Sequence, residues 1–397
     1  RRVLFRSNNK NVLCYTFCII LGMVIIMKLM FLEALQAYYA PVVLLLFFSI
    51  ILVTDQLLTR QEKNLFLMEL GVVGLMLFST WVDRCVSPIT TGEWWRLRFL
   101  TSAMQFAAAP LSPLVLLWIY RRNQLVRMGW LQCLPAIVNA LLSLGSFWTG
   151  QVLWVAPGNI YSRGPLFLLP FFSSAFYVAF ILYTASRQET PGRRLETIFL
   201  LCAGIAIAGA CALEIVFVIR YMIWSTTAVM LLTYFLLITI LKVLFDSHTG
   251  IYSRLAYTKR LESIGNGQSV TLAMIDMNGL KAINDSYGHE AGDQAIISVS
   301  QALLSIPVQG KKLYRYGGDE FIIVVGRWCR EELEDELKLI ASNCGKVNAI
   351  TLSFAYGVIE YRDGDLHKAT EEMDRYMYNN KMKMKAAQKG SDGKKDA

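Results

Sequence analysis

The sequence predicts two fold classes in one chain: an all-α transmembrane bundle of about eight helices over residues 1–245, then an α/β domain over residues 246–390. Three observations carry this reading. The apolar fraction, 55% of 397 residues, exceeds that of an ordinary soluble chain and gathers in long runs. Charge divides unevenly, with 19 Lys+Arg against 9 Asp+Glu in residues 1–245 and 20 against 21 thereafter. From residue 246 the periodicity changes to short strands alternating with helices. The net charge of +9 therefore belongs to the apolar part, where it flanks hydrophobic runs. A nucleic-acid binder would carry that charge on its polar domain, so no nucleic-acid partner is expected.

Residues 1–7, Arg-Arg-Val-Leu-Phe-Arg-Ser, spell the in-frame translation of a sequencing adapter and are set aside as an assembly artefact. Eight apolar runs follow, each long enough to cross a lipid bilayer as a helix, near 12–32, 38–58, 64–83, 99–120, 128–148, 165–186, 197–219 and 222–245. One set of loops carries Lys10, Arg60, Lys63, Arg121, Arg122, Arg127, Arg187, Arg193 and Arg194. The opposite set holds Arg163 and one basic loop, Arg84 with Arg96 and Arg98, partly offset by Asp83 and Glu93. This bias places both chain ends in the cytoplasm.

Lys28 and Glu214 stand out as ionisable groups inside the spans, the usual mark of function there. The outer loops 84–98, with Trp94 and Trp95, and 149–164, with Trp154 and Tyr161, are read as interfacial belts or a sensing surface. Pro110, Pro113, Pro135 and Pro170 are candidate helix kinks. The eight cysteines form no Cys-x-x-Cys pair and read as buried apolar residues, with neither disulfide framework nor zinc site. The linker after residue 245 is so short that helix movement is expected to reach the next domain almost directly.

In that domain, helices are expected at 253–264, 279–285, 290–306, 330–343 and 365–386. Strands are expected at 269–277, 313–316, 321–326 and 348–360, making a mixed sheet with helices packed on it. Residues 391–397 are expected to be a disordered tail. Two acids end apolar strands: Val270–Ile275 leads into Asp276, and Asp319 precedes Phe321–Val325. If the strands are neighbours, the Gly317-Gly318 turn sets the Asp319 carboxylate beside Asp276. Two carboxylates under a glycine opening suit a magnesium–triphosphate site, because Mg²⁺ takes few carboxylates and completes its shell with phosphate oxygens.

Four motifs in order make the reading specific. They are Asp246-x-x-Thr249-Gly250-x-x-x-Arg254; Asp276 to Asp285 with Tyr287-Gly288-His289 and Gly292-Asp293; Arg315-Tyr316-Gly317-Gly318-Asp319-Glu320-Phe321; and Met373-Asp374-x-x-Met377-Tyr378-x-x-Lys381. Together they resemble the signature of GGDEF-domain diguanylate cyclases over about 140 residues. The resemblance implies a polymerase-palm, nucleotidyl-cyclase-like fold and condensation of two GTP into cyclic di-GMP and diphosphate. It implies a homodimer, because each domain binds one GTP, and a bacterial inner-membrane protein with its GGDEF domain in the cytoplasm. Asp276, Asp319 and the Met277 carbonyl would hold two Mg²⁺, or Mn²⁺, per half-site.

Asp319 and Lys281 are the implied catalytic groups, with Glu320 supporting the metals. Gly279, Leu280, Gly317, Gly318, Lys381 and Lys385 would meet the triphosphate. Asn284 and Asp293 would read guanine, and His289 would shape the pocket. Gly279-Leu280 and Asn278 depart from the commoner family residues without removing a metal or guanine ligand. His248, Ile251 and Ser253 depart mildly from the opening motif. The family's inhibitory product site needs Arg-x-x-Asp where this chain has Val308-Gln309-Gly310-Lys311, so no feedback at that site is expected. The competing reading is a catalytically silent GGDEF domain that binds nucleotide as an effector or receptor.

Overall fold

The computed structural model describes residues 38–122, 130–187, 191–217, 222–264, 269–326, 330–348, 350–361 and 366–392. The expected span at 12–32, with Lys28, lies outside them. The chain divides into two units, Arg1–Glu189 with Arg193–Leu237, and Thr190–Gly192 with Ile238–Ala397.

The first unit is helical. Its elements are α1 (Tyr38–Thr54), α2 (Arg60–Val86), α3 (Trp94–Ala108), α4 (Leu111–Tyr120), α5 (Leu134–Thr149), α6 (Leu169–Ala185), α7 (Pro191–Phe217) and α8 (Met222–Leu244), the last two reaching into the second unit. Five apolar stretches among the described residues are long enough to cross a membrane: Arg60–Val86, Trp94–Tyr120, Trp130–Thr149, Gly192–Glu214 and Met222–Leu244. Tyr38–Thr54 and Leu169–Ala185 are apolar but shorter. Of the candidate kink prolines, Pro110 lies at the break between α3 and α4 inside the Trp94–Tyr120 stretch, whereas others start helices. Pro110 immediately precedes α4, and Pro135 and Pro170 stand in the first turns of α5 and α6, where a missing amide costs no helical bond.

The loop at 149–164 contains a hairpin that the sequence reading did not anticipate, β1 (Leu153–Ala156) on β2 (Ile160–Arg163). Asn159 at its turn has φ 63° and donates its side-chain amide to the Val86 carbonyl at 2.8 Å. The other loop, 84–98, is largely helical, absorbed by the end of α2 and the start of α3.

Several charges expected in loops are paired inside this unit. Arg122 meets Glu62 at 3.2 Å and Glu196 at 2.7 Å, and Arg193 meets Glu196 at 2.9 Å. The Tyr234 hydroxyl donates to Glu196 at 2.8 Å. Glu196 is only 1% exposed, so each partner offsets part of its burial cost. Glu214 accepts the Ile223 amide at 3.0 Å, a capping bond at the start of α8 that gives this acid a structural account. Glu69, which the sequence reading passed over, is fully buried and accepts from Ser112 Oγ at 2.5 Å beside a cavity of about 30 Å³.

In the second unit, β3 (Val270–Met277), β4 (Lys312–Arg315), β5 (Glu320–Gly326) and β8 (Phe354–Tyr361) form one sheet in the order β4-β5-β3-β8. Every pairing within it is antiparallel, which corrects the expected mixed sheet. The expected strand 348–360 is broken: β6 (Lys346–Val347) and β7 (Ile350–Thr351) make a separate two-stranded pair before β8.

The central strands are apolar apart from Thr271 and the end residues Asp276 and Glu320, because both faces are covered. Ala273, Ile275 and Met277 of β3, with Phe321, Ile323 and Val325 of β5, pack against α11 (His289–Ser305) and α12 (Arg330–Ala341). Leu272, Met274, Ile322 and Val324 face α9 (Arg254–Glu262) and α13 (Leu366–Asp392). The short helix α10 (Leu280–Tyr287) follows β3 directly. This packing fixes the end of β3, and with it the position of Asp276. Among the described residues Cys85, Cys133, Cys202, Cys211 and Cys344 are free thiols.

Candidate active site

The acids converge at one end of the central strand pair. In the β3–β5 ladder Asp276 stands opposite Glu320, and the Met277 amide donates to the Asp319 carbonyl at 3.0 Å. The direct cross-strand partner of Asp276 is thus Glu320, with Asp319 next along the chain. The turn sets that register: Tyr316 and Gly317 amides both donate to the Glu320 carbonyl, at 2.8 and 3.2 Å. At Gly317 a Cβ would lie 2.5 Å from Glu320 Oε2, so a side chain there would push that carboxylate aside. Gly318 is exposed, and a Cβ there would meet nothing within 4 Å.

Burial pushes the Glu320 carboxyl up, and the neighbouring Asp276, Asp319 and Asp374 push it further, with Arg254 opposing. With three further acids near enough to act on the Glu320 charge, this acidic cluster suits a hard divalent cation. No cage of three or more metal-binding side chains closes among the described residues. Magnesium needs none, because phosphate oxygens and water complete its shell.

Lys381 of α13 reaches into this pocket and donates to Asp276 Oδ1 at 2.5 Å. Lys385, one turn further on, is exposed. Asn278 donates to Ser353 Oγ at 3.2 Å, tying the chain after β3 to the residue before β8. Gly279 then adopts φ 75°, a left-handed conformation that a side chain would strain, and α10 begins at Leu280. Lys281 is exposed in the first turn of α10, while Leu280 packs against the core.

A second group of residues gathers where α10 meets α11. The Asn284 carboxamide lies against Gly292, so closely that a Cβ at 292 would collide with Oδ1. Asp293 follows, with its side chain 47% exposed and its Oδ2 3.8 Å from His248 Nδ1. His289 opens α11 and is exposed.

Arg315 was quoted in the sequence motif without a role. Its guanidinium donates to Asp246 Oδ1 at 3.0 Å and to the Gly318 carbonyl at 2.8 Å, joining the second residue after α8 to the Gly-Gly turn. Asp246 also accepts the Thr249 amide and hydroxyl, at 2.9 and 2.8 Å. Burial alone raises its carboxyl, but the Thr249 bonds and the Arg315 charge outweigh it and hold the group below its ordinary value. Arg315 was findable only as an arginine beside the Gly-Gly pair. Its partner is far away in sequence.

The expected product-inhibition position is occupied differently. Lys311 donates to the Leu303 carbonyl at 3.0 Å and the Leu304 carbonyl at 2.5 Å, and also to that of Ile306. It caps the end of α11.

Residues 243–387 match the family model described as "Diguanylate cyclase, GGDEF domain". The chain is 37% identical over 134 residues to the diguanylate cyclase VdcA of Vibrio cholerae, covering 31% of this chain and 39% of that protein. It is 33% identical over 149 residues to the probable diguanylate cyclase DgcJ of Escherichia coli, covering 34% of this chain and 29% of that protein. An uncharacterized membrane protein of Staphylococcus aureus is 30% identical over 128 residues, or 30% of this chain and 34% of that one. The chain thus spans well under two thirds of these relatives' lengths. Among solved structures, the coiled coil and GGDEF domain of DgcB from Caulobacter crescentus in complex with c-di-GMP matches with TM-score 0.36 and 25% identity, over 40% of this chain and 91% of that one.

Proposed function

We propose, from a chain whose residues 243–387 are a GGDEF domain, that the protein is a membrane-bound diguanylate cyclase, joining two GTP into cyclic di-GMP with release of two diphosphates. The carrying observation is the carboxylate pocket of Asp276, Asp319 and Glu320 at the end of the β3–β5 pair, beneath the Gly317-Gly318 turn.

Asp276, Asp319 and the Met277 carbonyl are the groups that would hold Mg²⁺ or Mn²⁺. Bound there, the ions acidify a ribose 3′-hydroxyl and neutralise charge building on the α-phosphate. The chain's own residues do the rest. Amides at the Gly279–Leu280 start of α10 and the Lys281 ammonium orient the triphosphate. Asp293 accepts from the N1–H and N2–H₂ edge that guanine presents and adenine lacks, and Asn284 pairs beside it, so the site selects GTP. Glu320 sits behind the turn and adds negative charge that favours a divalent cation. Each domain binds one GTP, so two copies must face each other; a homodimer follows from the chemistry.

The spans anchor the protein in a bacterial inner membrane with the GGDEF domain in the cytoplasm, where GTP is. The five long apolar helices and the basic loops support that orientation. The catalytically silent alternative has no observation in its favour, since the two metal acids and both signature glycines are present.

The test is product identification by mass spectrometry after the purified chain meets Mg²⁺ with GTP, ATP or both. Cyclic di-GMP from GTP alone, undiminished by ATP, supports the reading. A confirmed dimer that yields no cyclic dinucleotide defeats it.

A further inference from the structure

The shortest ion pair of the site joins a proposed phosphate-binding lysine to a proposed metal ligand. Lys381 Nζ lies 2.5 Å from Asp276 Oδ1, with side chains 27% and 13% exposed. Glu320 stands opposite Asp276 on β5, and the charges near enough to act on it are Asp276 itself, Asp319, Asp374 and the opposing Arg254. Arg254 is engaged elsewhere as well, its guanidinium 4.5 Å over the Tyr316 ring. Lys381 is therefore the cation in direct contact with the acid that a divalent ion must use.

Resting on the cyclase reading, we propose that Lys381 is an exchangeable counter-ion seated on Asp276, which makes metal binding depend on the nucleotide. A divalent ion arriving alone must evict an ammonium that is already hydrogen-bonded to its ligand. That eviction leaves Lys381 without its anion. When a triphosphate arrives with the metal, the ammonium finds phosphate oxygens within the same pocket and loses nothing by leaving. Metal and nucleotide thus bind with positive coupling, and the coupling is reciprocal. A bare divalent ion is kept from occupying the acids unproductively. Helix α13 supplies the device because it packs along β8 and β3, carrying residue 381 to the end of the strand that bears Asp276.

The experiment titrates Mn²⁺ into the full chain in lipid nanodiscs, following loss of the free-ion electron paramagnetic resonance signal. It is run with and without the uncleavable analogue α,β-methylene-GTP. For the native chain, read against a protein-free titration of Mn²⁺ with the analogue, the analogue is expected to tighten Mn²⁺ binding by more than about tenfold, since it both ligates the ion and takes Lys381 from Asp276. Lys381→Met is expected to tighten Mn²⁺ binding without nucleotide by roughly tenfold and to shrink the effect of the analogue. Lys381→Arg, keeping a cation, is expected to behave as the native chain, and adding Asp276→Asn to Lys381→Met removes the gain. The inference is overturned if Lys381→Met leaves nucleotide-free Mn²⁺ affinity unchanged or weaker. It is equally overturned if the native chain shows no coupling, a result that needs no variant to fold. Because the readout is metal occupancy, the lysine exchange can fail while cyclic di-GMP is still made, or hold in a chain that makes none.

Discussion

Gly292→Ala separates stability from substrate reading, because the two are expected to move in opposite directions. Gly292 lies in the first turns of α11, where alanine is the better helix former by about 1 kcal/mol. A Cβ at this position would collide with Asn284 Oδ1 and lie 2.9 Å from its Cγ and 3.4 Å from its Nδ2. The colliding group is the end of a flexible side chain, so the helix keeps most of its gain while the carboxamide swings away. If Asn284 reads guanine, losing its hydrogen bonds costs about 1–3 kcal/mol, or roughly 5- to 150-fold in KM for GTP. The assays are a thermal melt of the full chain and steady-state kinetics with Mg²⁺ and GTP. The expected result is an unchanged or raised Tm together with a raised KM. In an Asn284→Ala background the same glycine substitution should add no further kinetic penalty. A KM within twofold of native, or an undiminished penalty in that background, refutes the assignment of Asn284.

Three further outcomes follow from particular contacts. Asp246 is held below its ordinary pKa, so its contribution to stability is present above about pH 4 and is lost as pH falls through the lowered folded value; the Tm gap between native and Asp246→Asn should therefore close under acid. Glu196→Gln leaves Arg193 facing a neutral partner and Arg122 with Glu62 alone in a buried cluster, and should cost about 3–5 kcal/mol, seen as a lowered Tm in nanodiscs, whereas Leu195→Ala on an exposed neighbour should not. Lys311→Ala uncaps α11 and should cost about 1 kcal/mol in a denaturation curve, while added cyclic di-GMP should leave turnover of the native chain unslowed.

The domain's central strands were legible because their chemistry is local: Val270–Ile275 and Phe321–Val325 are apolar on both faces, which only a covered sheet requires. Their register was not, since it depends on where the turn closes. The bonds from Tyr316 and Gly317 to the Glu320 carbonyl close the turn and set Glu320 opposite Asp276. The Asp246–Arg315–Gly318 connection was hidden by distance along the chain, 69 residues between acid and guanidinium. Glu69 was hidden by its surroundings, an acid near the start of a run whose average is strongly apolar. The β1–β2 hairpin was hidden by brevity, four residues a strand, beneath what alternation can signal. Conversely, Pro110 interrupts a long span while Pro135 and Pro170 start helices, and the two effects look alike until the helix ends are known.

The most direct measurement compares the intact chain with Asp319→Ala and Asp276→Ala in a bacterial host that makes no cyclic dinucleotide of its own, by mass spectrometry of cell extracts with protein levels in the membrane fraction matched. Cyclic di-GMP should accumulate with the native chain and fall to background with either substitution. Equal product from all three chains, or none from a native chain that reaches the membrane as a dimer, contradicts the proposal that these two carboxylates run the reaction.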